Sequence, residues 1–168
     1  MNQQMRLICT ALALMLALGA GAQDIWPGSA YFFEKDDYAD WTQAENQDQM
    51  TAAVWLTRAD TRGLFNIVLE DEFDNSGYTS PLDTEWAVGD ANNWAALSFD
   101  TWDNWHGADP SSMLGVPSVV HLISDDIYID IEMVSWTSGG AGGGFSYYHG
   151  MEPTATYTGS WSEVKSLY

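Results

Sequence analysis

The sequence predicts an all-β, single-domain protein of the β-sandwich or jelly-roll type, and one segment indicates this most clearly. Residues 126–133 alternate strictly between two kinds of side chain. The polar side consists of Asp126, Tyr128, Asp130 and Glu132. The apolar side consists of Ile127, Ile129, Ile131 and Met133. Alternation with a period of two is typical of a strand with one face in a core and the other in water.

Other segments repeat this pattern at short intervals. They alternate or are rich in β-branched and aromatic residues, and turn clusters such as Asp74-Asn75-Ser76-Gly77 separate them. The predicted strands are 31–34, 51–58, 63–70, 84–88, 94–100, 118–123, 126–136, 145–149 and 154–157. The glycine-rich stretch 139–144 predicts a hairpin over 126–149. A helix of one or two turns is predicted only within 36–50.

The first 22 residues have the features of a cleaved signal peptide. Arg6 supplies a positive end, an apolar run covers 7–18, and small residues precede Gln23. The run is shorter than the roughly 20 residues that a membrane-spanning helix needs. We therefore expect a signal peptide at 1–22, a lead-in at 23–29 and one β-sandwich domain at 30–168. The expected location is secreted or periplasmic, without a transmembrane anchor after cleavage.

The charge of the chain limits its partners. The formal net charge is −19, and all 24 acidic residues follow Gln23. Nucleic acid binding requires basic side chains that displace counterions, and anionic membranes attract basic segments. We expect neither partner. Cations, neutral glycans and basic proteins are compatible with this charge, as is an acidic surface that serves only solubility.

The predicted hairpin 126–149 offers a surface for a ligand. Aromatic rings stack on sugar faces while carboxylates accept hydrogen bonds from hydroxyl groups. The predicted ligand-binding residues are Asp126, Tyr128, Asp130, Trp136, Tyr147 and Tyr148. We therefore expect a non-enzymatic module that binds an extracellular glycan or another surface polymer. A structural or adhesive surface protein, which would self-associate or bind a protein, is an alternative.

A carboxylate-dependent glycan hydrolase is a second alternative. Retaining glycosidases of the laminarinase type carry a Glu, an Asp and a Glu at alternate positions of one strand, and their mechanism needs two carboxyls about 5–5.5 Å apart. Here Asp130 and Glu132 are in register, but Tyr128 occupies the position of the nucleophile. Asp130 and Glu132 would be the catalytic residues of such an enzyme, and no catalytic residue is expected otherwise.

Calcium is the one cofactor that the sequence suggests. This ion takes six to eight oxygen ligands, mostly from carboxylates and carbonyls. The oxygen-rich segments 70–75 and 100–104 provide the candidate ligands Asp71, Asp74, Asp100 and Asp103. Neither segment matches an EF-hand loop. Zinc is not expected, because the three histidines lack the spacing of a zinc site and the single cysteine is Cys9.

The segment HLISDDIYIDIEMVSWTSGGAGGGFSY, at 121–147, resembles a motif of an uncharacterised family of secreted bacterial proteins, common in marine and environmental species. Shorter similarities at 40–42, 55–58 and 63–66 extend the resemblance over roughly 31–150. Family members often carry an arginine where this chain has Tyr148 and His149. The resemblance implies export and a β-rich domain, and it implies no particular activity.

Overall fold

A computed structural model describes residues 23–153, and β-strands predominate in it, which confirms the all-β class. The assignment to a sandwich or jelly roll stays a prediction. The strands of the described part are β1 (Asp24–Trp26), β2 (Tyr31–Lys35), β3 (Asp48–Gln49), β4 (Trp55–Thr57), β5 (Phe65–Asn66), β6 (Thr84–Val88), β7 (Ser118–Leu122), β8 (Ile127–Trp136) and β9 (Phe145–His149). The predicted signal peptide and the predicted strand 154–157 lie outside the described residues.

The larger of two sheets has the strand order β2-β9-β8-β7-β6, with β1 paired to β8. β8 is the longest strand. Its first residues pair in parallel with β1, and its later residues pair antiparallel with β9. The hairpin predicted over 126–149 is therefore present, with Glu132 opposite Tyr148.

The smaller sheet has the order β3-β4-β5. Its strands are shorter than the predicted segments 51–58 and 63–70, because the chain turns before β4, where the Thr51 amide donates to the Val54 carbonyl, and again directly after β5. The amides of Leu69 and Glu70 both donate to the Asn66 carbonyl, at 2.9 Å each. These bonds end the strand pairing and lead the chain into the loop that precedes β6.

The main core contains side chains from both sheets. The side of β8 that the alternation predicted to be apolar is buried, as Ile127, Ile129, Ile131 and Met133. Leu56 of β4 and Trp86 of β6 belong to the same cluster. Each fully buried aliphatic side chain stabilises the fold by about 1.5–3 kcal/mol relative to an exposed one. The core therefore fixes which side of β8 faces inward.

The sequence predicted that the other side of β8 faces water over its whole length. In the structure, part of this side is covered. Ala91–Ala96 form a 3₁₀ segment that Asp90 caps, and Trp94 stacks on Tyr128 with ring centroids 4.5 Å apart. Leu97 and Phe99 pack against the same buried group. The predicted strand 94–100 is therefore wrong. Its apolar residues cover the sheet and bury Tyr128.

The prediction of a helix only within 36–50 is also wrong. A 3₁₀ helix at Ala44–Asn46 lies in that region, but the α-helix, α1, is at Trp102–His106. Thr101 caps its first turn by accepting from the Asn104 amide, and Gly107 ends it with a φ of 60°. A further 3₁₀ helix follows at Pro110–Met113. Over residues 23–153, no helix has the length and apolar character needed to cross a membrane.

Candidate functional site

The predicted ligand-binding residues lie in several places, and the first place surrounds His121 on β7. The His121 ring nitrogens face Glu85 Oε1 at 2.7 Å and Asp126 Oδ1 at 3.3 Å. The ring lies parallel to Tyr128 at 4.1 Å between centroids. Burial beneath Trp94 raises the pKa of the Tyr128 hydroxyl. Asp126 is exposed beside His121, as predicted for a surface residue. Tyr128 is buried, so its prediction as a surface residue is wrong.

The Asp130 carboxylate accepts hydrogen bonds from the backbone of two other segments. Its two carboxylate oxygens accept hydrogen bonds from the backbone N–H groups of Gly28 and Ala91, each at 2.7 Å. The carboxylate thereby joins the chain after β1 and the start of the 3₁₀ segment to β8. Glu132 is half-buried and faces the same side of β8. Both oxygens of Asp130 are engaged by backbone groups, and Asp130 and Glu132 line one small cleft.

Tyr147 and Tyr148 point to opposite sides of β9. Tyr147 is 0% exposed, and its hydroxyl donates to Asp48 Oδ2 at 2.6 Å. Strand alternation places the Tyr147 side chain in the core, away from the surface on which the sequence predicted a ligand contact. Tyr148 is 41% exposed, and its ring centroid lies 4.9 Å from that of Phe32 on β2. These two rings form an aromatic pair on the outer face of the larger sheet.

Trp136, the last predicted residue, lines a cleft of about 570 Å³ that we call the Arg58 cleft. Four segments form it: the chain after β4, the loop before β6, the region of α1, and the connection between β8 and β9. Its walls consist of Arg58, Thr61, Arg62, Gly63, Phe73, Asn75, Tyr78, Trp102, Asp103, His106, Ala108, Pro110, Trp136, Gly139 and Gly140.

Arg58 is a buried polar residue of the cleft that is held by several contacts. It is 3% exposed, and its guanidinium lies 3.6 Å from the centroid of the Trp136 ring. Its nitrogens donate to three backbone carbonyls, those of Arg62 at 2.8 Å, Thr137 at 2.9 Å and Gly144 at 3.1 Å. Burial lowers the pKa of Arg58 to about 10, so the group is charged at neutral pH. The contact with the Trp136 ring is a cation–π interaction.

The glycine-rich connection makes these bonds possible. Gly143 has a φ of 68°, and a Cβ atom there would collide with the Ala59 carbonyl. The connection therefore packs directly on the chain that follows Arg58. Because these glycines have no side chains, the Gly144 carbonyl can reach the Arg58 guanidinium. The same glycines also allow the chain to turn between β8 and β9.

The rim of the cleft is formed by the loop 73–78. Asp74 accepts hydrogen bonds from the Ser76 amide at 2.8 Å, the Ser76 hydroxyl at 2.7 Å and the Gly77 amide at 3.2 Å. The Ser76 bonds, with those of Gly77 and Thr79, lower the pKa of Asp74 to about 2. This ordered turn presents Tyr78, which is 49% exposed, at the edge of the cleft.

His106 lies in the wall of the cleft at the end of α1. It is 5% exposed, and its ring centroid lies 4.0 Å from that of Trp102. Neither ring nitrogen has a hydrogen-bond partner among the described residues. Burial lowers the pKa of His106, so the neutral imidazole is favoured.

The calcium prediction is not tested by these positions. Among residues 23–153, no group of three or more His, Cys, Asp or Glu side chains is arranged to hold a metal ion. Asp100 accepts from the Thr101 amide and the Asn104 side chain, and Asp74 orders its own loop. Asp71 is exposed, and Asp103 is half-buried in the wall of the Arg58 cleft.

Sequence reasoning missed most of the cleft. Trp136 was predicted as a ligand contact, whereas Arg58, Tyr78 and His106 were not. One available signal was the position of the arginines, since Arg58 and Arg62 follow each other closely in a chain with few basic residues. The separate segments that meet at the cleft left no common pattern in the sequence.

Comparisons with protein families, curated proteins and solved structures found no match to this chain. The resemblance of 121–147 to a family of secreted bacterial proteins therefore stays a prediction.

Proposed function

We propose that the protein is an exported, non-enzymatic module that binds an extracellular glycan in the Arg58 cleft. The observation that carries the proposal is the guanidinium of Arg58, fixed on the Trp136 ring in the wall of an open cleft. A site of this kind joins apolar ring surface to a few oriented polar groups, which is the usual composition of a small-ligand site. Export to the periplasm or the medium rests on the signal-peptide features of 1–22.

A sugar suits these walls for a chemical reason. Pyranose rings carry C–H faces that stack on aromatic rings, and their edges carry hydroxyl groups that both donate and accept hydrogen bonds. The exposed ring of Tyr78 supplies a stacking surface, and Asn75 and Asp103 supply polar groups nearby. The open shape of the cleft also admits an internal unit of a polymer.

The aromatic pair formed by Phe32 and Tyr148 is the rival position for the ligand. It lies on the outer face of the larger sheet, and it contains the exposed tyrosine predicted from the sequence. In the described part of the chain no cation lies over either ring of this pair, and Tyr148 does not line the Arg58 cleft. The comparison of Tyr78 with Tyr148 therefore distinguishes the two positions.

The test is a binding screen against extracellular polysaccharides with the purified mature chain. For a polysaccharide that binds, Tyr78→Ala should weaken the affinity about fivefold or more, because a stacked ring contributes about 1 kcal/mol. Tyr148→Ala is the matched control and should change the affinity less than twofold. The opposite ranking would move the site to the outer sheet face, and the absence of any binding would refute the proposal.

The same samples test the alternatives. Release of reducing sugar that Glu132→Gln abolishes, in a folded variant, would establish a hydrolase in place of a binding module. Self-association of the purified protein without glycan binding would favour a structural or adhesive role. We expect binding without sugar release.

A further inference from the structure

We infer that the glycan bound in the Arg58 cleft carries an acidic group, a carboxylate or a sulfate, which pairs with Arg58 and Arg62. This inference rests on the proposed function and specifies the class of sugar. It depends on the distribution of charge in the chain, on the buried guanidinium of Arg58, which forms no salt bridge among the described residues, and on the aromatic surface beside it.

The distribution of charge is the first argument. Residues 23–153 contain three basic residues, Lys35, Arg58 and Arg62, and both arginines line the cleft. The chain contains 24 acidic residues, yet among residues 23–153 Asp103 is the only carboxylate that lines this cleft. In a protein with a net charge of −19, the cleft is thus a place where positive side chains outnumber negative ones.

The state of Arg58 is the second argument. It is buried and charged; Asp37 favours its charged form, but no carboxylate of the described residues lies within salt-bridge distance of its guanidinium. Buried charges are normally paired, because an isolated ion loses much of its solvation. The carbonyls of Arg62, Thr137 and Gly144 satisfy three of the five N–H donors of the guanidinium. Two N–H donors of the guanidinium thus have no carbonyl partner among the described residues, and Arg58 lines the cleft.

The geometry of the group is the third argument. The planar fork of an arginine matches the two oxygens of a carboxylate or of a sulfate, and such charged hydrogen bonds are stronger than neutral ones. Arg58 is held against Trp136, and Arg62 is exposed beside it. An acidic substituent could bind the two guanidinium groups while its sugar ring reaches Tyr78 at the rim.

The experiment compares ligands that differ only in charge. The first pair is oligogalacturonate and its methyl ester, and the second is a sulfated galactan oligosaccharide before and after desulfation. Binding is measured by titration calorimetry on the mature chain. At least one charged ligand should bind tenfold or more tightly than its neutral partner, and the pair that shows the difference identifies carboxylate or sulfate.

Arg62→Gln tests whether the Arg62 side chain binds the acidic group. Arg62 is exposed, and the substitution keeps the backbone carbonyl that accepts the hydrogen bond from Arg58. It should weaken the charged ligand about tenfold and the neutral ligand less than twofold. Ala96→Glu makes the same change in net charge on the 3₁₀ segment, away from the residues that line the cleft, and should have little effect.

The outcomes separate the inference from the proposed function. Equal binding of charged and neutral partners, or binding only to neutral polysaccharides, would overturn the acidic-sugar inference and leave glycan binding intact. Failure of every glycan, charged or neutral, to bind would overturn both. An equal effect of Arg62→Gln and Ala96→Glu would show that only the net charge matters and would also overturn the inference.

Discussion

His106 is a buried imidazole whose nitrogens lack hydrogen-bond partners in the described part of the chain. Burial lowers the pKa of His106 below its ordinary value of 6.5. Between the lowered pKa and pH 6.5, the folded protein therefore binds fewer protons at this residue than the unfolded chain does. The stability that neutral His106 provides is present above pH 6.5. It is lost as the pH falls through the lowered pKa.

We expect His106→Phe to remove this part of the pH dependence. Phenylalanine keeps a ring against Trp102, and replacing an unsatisfied polar group by an apolar one is often neutral or stabilising. The melting temperature of the unmodified protein should fall more between pH 7.5 and 5.5 than that of the variant. Parallel curves for the two proteins would contradict this assignment.

Asp130 and Glu132 provide a matched pair of carboxylates on one side of β8. Removing Asp130 leaves the Gly28 and Ala91 amides without their acceptor, whereas Glu132 accepts no hydrogen bond from the described residues. Asp130→Ala should therefore lower the free energy of unfolding by about 1–3 kcal/mol. Glu132→Ala should change it by less than about 0.5 kcal/mol. Urea denaturation measures both, and equal losses would refute the structural role of Asp130.

At the scale of elements, the alternation in β8 predicted the strand and the apolar side that enters the core, and the glycine-rich stretch 139–144 predicted its hairpin with β9. It could not predict what covers the other side. Periodicity tells which side chains share a face, and the cover over Tyr128 comes from the distant segment Ala91–Ala96. Because Trp94, Leu97 and Phe99 are typical of strands as well as of buried turns, their composition indicated a strand there.

The Arg58 cleft was harder to predict for a different reason. The bonds that orient Arg58 go to backbone carbonyls of Arg62, Thr137 and Gly144, and a carbonyl has no signature in the sequence. The glycine-rich stretch was correctly expected to turn the chain. Its second role, the close approach of Gly143 to Ala59, depends on a tertiary contact between distant segments.

Gly63 links the chain after β4 to the aromatic wall of the cleft. A Cβ atom there would lie 2.6 Å from both Phe73 Cε2 and Trp102 Cζ3, which is too close for ring atoms that cannot bend away. Gly63→Ala should therefore lower the free energy of unfolding by about 1–3 kcal/mol through overpacking. It should also weaken glycan binding, because the rings shift.

Gly140→Ala is the control for this substitution. Gly140 lines the same cleft, but a Cβ atom there meets only Thr61 Cγ2 at 3.5 Å, an ordinary contact. We expect a change in the free energy of unfolding within about 0.5 kcal/mol. If the two variants were equally stable in urea, the close packing around Gly63 would be refuted.

At the scale of the whole molecule, the acidic loops are the segments in which the sequence predicts a calcium site. An ion that binds only the folded state stabilises it by about 2.7 kcal/mol at a hundredfold excess over its dissociation constant. A site formed by Asp71 with Asp74, or by Asp100 with Asp103, should raise the melting temperature more in millimolar calcium than in equal magnesium. Equal shifts would indicate screening alone and would refute a specific calcium site.

The net charge of −19 predicts a general dependence of stability on salt. Like charges repel in the compact state, and the range of this repulsion falls from about 30 Å at 0.01 M salt to about 8 Å at 0.15 M. Sodium chloride should therefore raise the melting temperature at pH 7 over this interval. The rise should become small near pH 4.1, the isoelectric point, where protonated carboxylates remove most of the net charge. A rise of equal size at both pH values would mean that salt acts by another route than screening of the acidic surface.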